Sequence, residues 1–285
     1  MIAYKRIKLV LIVVLGLNWI VAGAKILAGF ITRCQSMMAD GFHSLSDGAS
    51  NIVGLIGIAL SERPVDEDHP YGHKKYETLF SLGIAALLAV VSFSLIKESF
   101  IRFFNPVAPA AGAMSFIVII STMAINILVM KYEYREGRKL GSDILIADSM
   151  HTGADILTSL SVIVALIGIR LGFPIVDPVI TFIIAIFIGY AAFRIARDAS
   201  VILCDRAAIL DSRKVSGIVM NVKGVRACHK IRTRGRPDDI CVDLHVQVDS
   251  RMSVDEAHKV SYAVESALKA NIPEVADVLV HVEPK

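Results

Sequence analysis

Residues 39–47 read Ala-Asp-Gly-Phe-His-Ser-Leu-Ser-Asp, and residues 147–155 read Ala-Asp-Ser-Met-His-Thr-Gly-Ala-Asp. Both stretches follow the pattern Ala-Asp-x-x-His-x-x-x-Asp, and each lies inside an otherwise apolar segment of the chain. On a helix, side chains four residues apart share a face. Each segment is therefore predicted to be a helix that presents one imidazole and one carboxylate on the same side.

Long apolar segments around these two stretches are typical of an integral membrane protein. Of the 285 residues, 54% are hydrophobic, and the mean hydropathy is +0.60. A membrane-spanning helix needs about 20 mostly apolar residues. Six segments meet this requirement, at residues 8–31, 34–60, 78–99, 113–133, 144–170 and 175–194. The first segment is too long for a cleaved signal peptide, so it counts as a membrane helix. The six segments together predict an all-α membrane bundle of six helices over residues 1–204.

After residue 205 charged residues become frequent and apolar runs shorten. Apolar residues recur at helical spacing after Asp211 and again after Ser253. At the second position, Glu256 completes a capping box. Alternating apolar and polar residues predict strands. The predicted elements are helix 211–220, strands 225–234 and 240–248, helix 254–270 and strand 278–282. This αββαβ order indicates a small α+β domain over residues 205–285, with its helices on one face of the sheet.

Lysine and arginine residues near the ends of the apolar segments predict the orientation of the chain. With a cytoplasmic N-terminus, the inner connections carry twelve of these residues and the outer connections carry four. Both termini, and with them the domain of residues 205–285, are therefore predicted to be cytoplasmic. We expect a multi-pass protein of the cell inner membrane.

Charge, cysteine content and motifs argue against several classes of function. The net charge of +3 gives no support for nucleic-acid binding, and the chain has no glycine-rich phosphate loop that would indicate an ATP-driven pump. Cys34, Cys204, Cys228 and Cys241 show no CxxC spacing and are expected to be free thiols. No HExxH motif is present, so a membrane metalloenzyme is the weaker interpretation, and no organic cofactor is expected.

The repeated pattern offers a set of metal ligands. If the two helices face each other, His43, Asp47, His151 and Asp155 supply two nitrogens and two carboxylate oxygens, a tetrahedral set that Zn²⁺ favours. The pairs lie near the middle of the bilayer, where ionisable residues usually mark an ion pathway. The alternative is a buried hydrogen-bonded pair that only ties two helices together.

Asp40 and Asp148 each precede the motif histidine by three residues. They are candidates for lining the route of the ion or for orienting its ligands. Solvation of a helix end explains them equally well, so they are not predicted to be ligands.

The remaining histidines lie outside the apolar segments. Asp66, His69 and His73 occupy a short loop that Pro70 and Gly72 keep from being a regular helix, and they form a candidate second metal site. A solvated charged loop is the alternative.

Residues of the tail form a third candidate site. The tail holds four histidines, His229, His245, His258 and His281, and strand alternation puts His281 and Glu283 on one face. Ordinary surface histidines are the alternative.

In these features the sequence resembles the cation diffusion facilitator family. The resemblance covers six spans, the paired motifs in the second and fifth spans, the His-Pro-Tyr-Gly-His loop and a cytoplasmic tail domain. It implies that the two motifs form the transport site and that the loop matches a second site. It also implies that the tail matches a two-ion site of some members, at His229, His245, His258, His281 and Glu283. It also implies a metallochaperone-like tail and a homodimer. Glu283 stands where a relative carries Asp.

The resemblance also implies a function. Histidine with carboxylate in both helices is similar to zinc transporters, whereas the family pattern associated with Mn²⁺ is richer in Asp. We therefore expect a Zn²⁺/H⁺ antiporter that works in the efflux direction by alternating access, with Zn²⁺ as substrate and as a candidate structural or regulatory ion. The alternatives are an Fe²⁺, Cd²⁺ or Co²⁺ exporter of the same family, and a membrane scaffold that senses metal without transporting it.

Overall fold

The structure is a computed structural model that describes residues 2–31, 35–104, 113–170, 173, 175–206 and 210–285. Within these ranges the side chains of residues 35–44, 46 and 47, and of some residues near other helix ends, are outside the described set. The chain divides into two compact units, Met1–Ala199 and Ser200–Lys285.

Six long helices build the first unit. They are α1 (Ile2–Ile31), α2 (Gln35–Ser61), α3 (Lys75–Phe104), α4 (Ala113–Leu140), α5 (Asp143–Arg170) and α6 (Val176–Leu203). By length and hydropathy four of the described helices can cross a membrane, namely α1, α3, α4 and α6. The other two, α2 and α5, contain the polar repeated motif. The predicted helical membrane region is confirmed, although α4 and α6 continue beyond residues 133 and 194 because helical structure extends through the charged residues that follow the apolar segments.

Two glycines allow α2 to approach its neighbours closely. A Cβ atom on Gly57 would lie 2.5 Å from Cβ of Phe80 in α3 and 2.8 Å from Cδ1 of Ile144 in α5. A Cβ atom on Gly54 would lie 2.8 Å from Cγ2 of Ile144. Small residues at such contacts let membrane helices pack backbone to backbone. The helix that carries the first motif is therefore held directly against the helix that carries the second.

The second unit contains two helices and a three-stranded sheet. Its elements are α7 (Ser212–Met220), β1 (Ala227–Arg236), β2 (Asp239–Val248), α8 (Val254–Asn271) and β3 (Val275–Pro284). The strand order is β1-β2-β3, with β1 antiparallel to β2 and β2 parallel to β3. The predicted αββαβ order is confirmed, and β3 is longer at both ends than the predicted strand 278–282.

The two faces of this sheet differ in burial. Every second residue of β2, from Ile240 to Val248, is buried against a core that also contains Val215 of α7 and Val264 of α8. The alternate residues, including His245, lie on the face away from the helices. The Ser253–Glu256 capping box at the start of α8 is present as predicted.

A tight turn joins β1 to β2. Gly235 has φ +110° there, and a Cβ atom at this position would lie 2.2 Å from the carbonyl oxygen of Asp239. Only glycine fits both the conformation and the contact. The turn sets the register from Arg236–Asp239 to Arg232–Asp243, and an irregularity between His229 and Arg232 shifts the pairing so that His229 of β1 lies opposite His245 of β2.

Candidate metal sites

The α5 half of the repeated motif is described in full. His151 is 7% exposed, and its Nδ1 atom has no hydrogen-bond partner among the described residues. Asp155, one turn further along α5, is half-buried. An unpaired polar atom buried in a protein is costly, and it is usually explained by strain, by function or by a bound ion or water. His151 is therefore a buried nitrogen that is available to a cation or a proton.

A chain of polar side chains connects α1, α2 and α5 beside this histidine. Asn18 of α1 donates from Nδ2 to Oδ1 of Asn51 in α2 at 3.1 Å, and Nδ2 of Asn51 donates to Oδ2 of Asp148 in α5. Further along α2, Gly54 contacts Ile144, which precedes Asp148 in α5. The two helices therefore run in opposite directions, with Asn51 and Asp148 at the same level.

This register aligns the two motifs along the helix axes. Asp47 precedes Asn51 by one turn, and at about 1.5 Å per residue its backbone lies about 6 Å away, while His151 lies about 4.5 Å beyond Asp148. His43 and Asp155 lie about 12 Å and 10 Å beyond the same contact by the same rise. Along the helix axes, the backbone of Asp47 thus lies at about the height of His151, and the backbone of His43 lies at about the height of Asp155. The side chains of His43 and Asp47 lie outside the described residues, so the geometry of the four-ligand set stays a prediction.

Glu133 of α4 is a buried carboxyl that sequence reasoning did not single out. It is 0% exposed and accepts a hydrogen bond from Oγ1 of Thr152 at 3.1 Å, and the same hydroxyl lies 3.2 Å from the backbone oxygen of Asp148. Two carboxyls can hydrogen-bond each other only if one of them carries a proton, because a carboxylate is purely an acceptor. Oε1 of Glu133 and Oδ1 of Asp148 have no hydrogen-bond partner among the described residues, and a proton on either carboxyl would provide the donor that the pair lacks.

The sequence does contain one sign that Glu133 is buried, which is its spacing of three residues from Glu136. Glu136 is also buried and accepts a hydrogen bond from Nε of Arg6 at 2.8 Å. Residues three apart share one face of a helix. The two glutamates therefore mark the face of α4 that packs toward α1 and α5, although they stand in a run of charges that looks like a solvated helix end.

The loop between α2 and α3 gathers its three predicted ligands. Nδ1 of His69 lies 3.1 Å from Oδ1 of Asp66, Nε2 of His73 lies 3.3 Å from Oδ2 of Asp66, and the two imidazole rings are 4.3 Å apart. Gly72, with φ +82°, turns the chain between the two histidines. One ligand atom from each of the three residues lies within 4.8 Å of the others.

The electrostatics of this loop favour an anionic carboxylate. Desolvation alone would raise the pKa of Asp66, but hydrogen bonds from the backbone N–H and the ring of His69 outweigh it and hold the pKa below its ordinary value of 3.8. His73 is buried, and its Nδ1 atom has no partner in the described part of the chain. Ligand atoms on a zinc tetrahedron are about 3.3 Å apart for bonds near 2.0 Å. The donor atoms and their spacing fit a divalent metal, and without metal they form hydrogen bonds.

The tail cluster lies on the open face of the sheet, in three neighbouring strands. His229, His245 and His281 pair across β1, β2 and β3, with ring centroids 5.5 Å and 4.5 Å apart. Glu283 reaches Nδ1 of His245 at 2.5 Å and Nε2 of His229 at 3.2 Å, and it lies 3.9 Å from Nε2 of His281. The hydrogen bond from His245 lowers the pKa of Glu283, and the charge of His229 adds to this effect.

His258, the fifth residue predicted for the tail site, lies elsewhere. It is an exposed residue of α8, in the helical layer, and it is not in the group formed by His229, His245 and Glu283 within one chain. Of the cysteines, Cys204, Cys228 and Cys241 are free, in agreement with the sequence. Burial raises the pKa of the Cys228 and Cys241 thiols, which makes them weaker ligands, and Cys34 lies outside the described residues.

Known proteins match both units of the chain. Residues 11–204 match the family described as "Cation efflux transmembrane domain", and residues 210–285 match "Cation efflux protein, cytoplasmic domain". The uncharacterized transporter MJ0449 of Methanocaldococcus jannaschii is 32% identical, over 91% of this chain and 92% of the relative. The cation-efflux pump FieF of Serratia proteamaculans is 28% identical, over 91% and 87%. The manganese efflux system protein MneP of Bacillus subtilis is 26% identical, over 96% and 95%.

Proposed function

Because this chain belongs to the cation efflux family, we propose that it exports Zn²⁺ in exchange for protons, by alternating access around a buried site. The chain is a membrane transporter of divalent metal cations and not an enzyme. Its transport site is proposed to be His43 and Asp47 of α2 with His151 and Asp155 of α5.

One observation carries this assignment: Nδ1 of the buried His151 has no hydrogen-bond partner among the residues that the structure describes. The contact between Asn51 and Asp148 supports it by aligning the two motifs. A pair that only tied the helices together would satisfy its own polar atoms, as the Asn18–Asn51 pair does. A site that must bind and release an ion instead keeps a donor atom free when the ion is absent.

Proton exchange follows from the ligand chemistry. Metal binding requires neutral imidazole and ionised carboxylate, so metal and protons compete for the same atoms. Histidine titrates near neutral pH and suits this exchange. The buried carboxyls of Glu133 and Asp148 support the proposal, because each has an oxygen without a hydrogen-bond partner among the described residues and can hold a proton near His151.

Zn²⁺ is the proposed metal because each motif provides an imidazole. Imidazole suits zinc and its neighbours in the transition series, whereas Mg²⁺, Ca²⁺ and Mn²⁺ prefer oxygen ligands. The relative MneP is named for manganese efflux, so a metal series is part of the test. Fe²⁺, Cd²⁺ and Co²⁺ remain the alternative substrates.

The other two clusters are proposed to bind divalent metal in regulatory roles. Asp66, His69 and His73 would hold one ion in the loop, and His229, His245, His281 and Glu283 would hold metal in the tail. We place both termini in the cytoplasm, where residues 205–285 act as a regulatory and dimerisation domain of a homodimer. The excess of Lys and Arg in the inner connections supports this orientation.

The test is metal uptake into proteoliposomes with an imposed pH gradient. Zn²⁺, Fe²⁺, Mn²⁺, Co²⁺ and Cd²⁺ are offered in parallel to wild type, Asp47→Ala, Asp155→Ala and His258→Ala. We expect Zn²⁺ to accumulate only with the proton gradient, both Asp variants to be inactive, and His258→Ala to transport like wild type. Metal binding by the tail without any metal flux would instead identify a sensing scaffold.

A further inference from the structure

A groove of about 550 Å³ lies between α4, α5 and α6. Apolar side chains line most of it, including Met130 of α4, Leu157 of α5 and Phe187 of α6. Two hydrogen bonds hold α6 to α3 on another side, from Oγ of Ser92 to Ala185 at 2.8 Å and from Oγ of Ser99 to Pro178 at 2.7 Å. The groove lies on a different side of α6 from these bonds, within the membrane region.

Two cationic side chains close one end of this groove. Lys131 lies eighteen residues after the start of α4, and Arg194 lies eighteen residues after the start of α6. At about 1.5 Å per residue, both are about 27 Å along their helices, close to the thickness of a hydrocarbon core. Tyr134 and Tyr190 line the same end, and tyrosine is enriched at membrane–water interfaces.

Both cations are exposed in the groove, and neither has a hydrogen bond or ion pair with any residue that the structure describes. Basic pockets between membrane helices attract anionic lipid headgroups, with about 1 kcal/mol for each Lys or Arg near the surface. The guanidinium of an arginine can also bind a phosphate through two parallel hydrogen bonds. The end of the groove thus has the charge and the donors that a phosphate needs.

We propose that this groove binds one anionic phospholipid, whose phosphate lies between Lys131 and Arg194 and whose acyl chain packs along Met130, Leu157 and Phe187. The proposal does not depend on which metal is transported. A second copy of the chain is the less suitable occupant, because it would bury Lys131, and lysine is depleted at protein interfaces. A lipid matches both parts of the groove, the cationic end and the apolar length.

A tryptophan in the groove can report which lipid lies there. The chain has one tryptophan, Trp19, so Trp19→Phe with Phe187→Trp gives a single reporter in the full-length protein. This variant is reconstituted in phosphatidylcholine vesicles that contain either brominated phosphatidylglycerol or brominated phosphatidylcholine, and quenching gives the relative affinity of the two lipids. Lys131→Gln with Arg194→Gln removes the cationic end. Arg138→Gln with Lys139→Gln removes the same charge from exposed residues of α4 outside the groove.

We expect phosphatidylglycerol to be preferred about 25-fold, since two cations each contribute about fivefold. The preference should fall to about onefold in the Lys131→Gln/Arg194→Gln background and persist in the Arg138→Gln/Lys139→Gln background. Equal quenching by both lipids in the reporter protein, or a preference that survives loss of Lys131 and Arg194, overturns the proposal. A reporter that neither lipid quenches also overturns it, because a protein surface then covers the groove.

Discussion

Substitution of Gly57 by alanine tests whether the close approach of α2 to α3 and α5 holds the transport motif in place. The added methyl group would lie 2.5 Å from Cβ of Phe80 and 2.8 Å from Cδ1 of Ile144. The isoleucine methyl is the end of a side chain and can move. The Cβ atom of Phe80 moves only with its backbone, so the overlap must be relieved by displacing α2 from α3.

The expected loss of stability follows from two opposing effects. Alanine is a better helix former than glycine by about 1 kcal/mol. An extra methyl group in a well-packed core costs about 1–3 kcal/mol, and contact with a Cβ atom belongs at the upper end. The net destabilisation is about 1–2 kcal/mol, which lowers the Tm of a unit of this size by about 2–8 °C.

Gly16→Ala is the matched control, because it adds the same methyl group to α1 with nothing within 4 Å. Thermal unfolding of both variants in detergent is followed by the circular dichroism of the helices. We expect the Tm of Gly57→Ala to fall and that of Gly16→Ala to stay or rise slightly. Metal uptake should fall in Gly57→Ala alone, because α2 carries His43 and Asp47. A Tm of Gly57→Ala equal to or above that of Gly16→Ala would refute the reasoning.

Three further predictions concern the carboxyls and the tail histidines. Glu133→Gln should lower the ratio of protons to metal ions exchanged in proteoliposomes, because the buried carboxyl of Glu133 can take up a proton and an amide cannot. An unchanged ratio would show that Glu133 does not carry an exchanged proton. The pKa of Glu283 is lowered from 4.5, so its contact with His245 should stabilise the metal-free protein above about pH 4.5. This stabilisation should be lost as the pH falls through the pKa of Glu283 in the folded state. Glu283→Gln should therefore flatten the pH dependence of tail unfolding in chelator, and an unaltered profile would contradict this. His245→Ala should weaken zinc binding by the tail, measured by calorimetry, by more than the 10- to 100-fold that is typical when a residue behind a ligand is replaced. His258→Ala should leave zinc binding near that of wild type. Equal losses in the two variants would place His258 in the site.

The sequence predicts the helices and strands well, because their signals are local. Apolar length predicts the membrane helices and period-two alternation predicts β1 and β2, while the Ser253–Glu256 capping box locates the start of α8 within the chain. The ends of α4 and α6 are predicted too short, since a hydropathy window ends where charges begin. A helix continues past that point as long as its backbone hydrogen bonds do, and both helices end only at Leu140 and Leu203.

Contacts between elements are the part that local signals do not contain. Glu133 looks like a solvated charge at a helix end, and its burial arises only because Thr152 and Asp148 of α5 pack against it. The family resemblance implies that His258 and His245 belong to one tail site. Strand alternation puts His245 on the open face of the sheet, whereas His258 belongs to the helical layer.

Exposure separates the three candidate sites by the way in which an ion can reach them. His69 of the loop and His281 of the tail have side chains that are 39% and 62% exposed, so metal there can exchange with the surrounding solution without a change of fold. His151 is 7% exposed, and an ion can reach it only when the helices around it move apart. Equilibrium with solution suits a site that senses metal concentration, whereas access through a conformational change is what alternating access requires. The same ligand chemistry therefore fits regulation in the two exposed clusters and transport in the buried one.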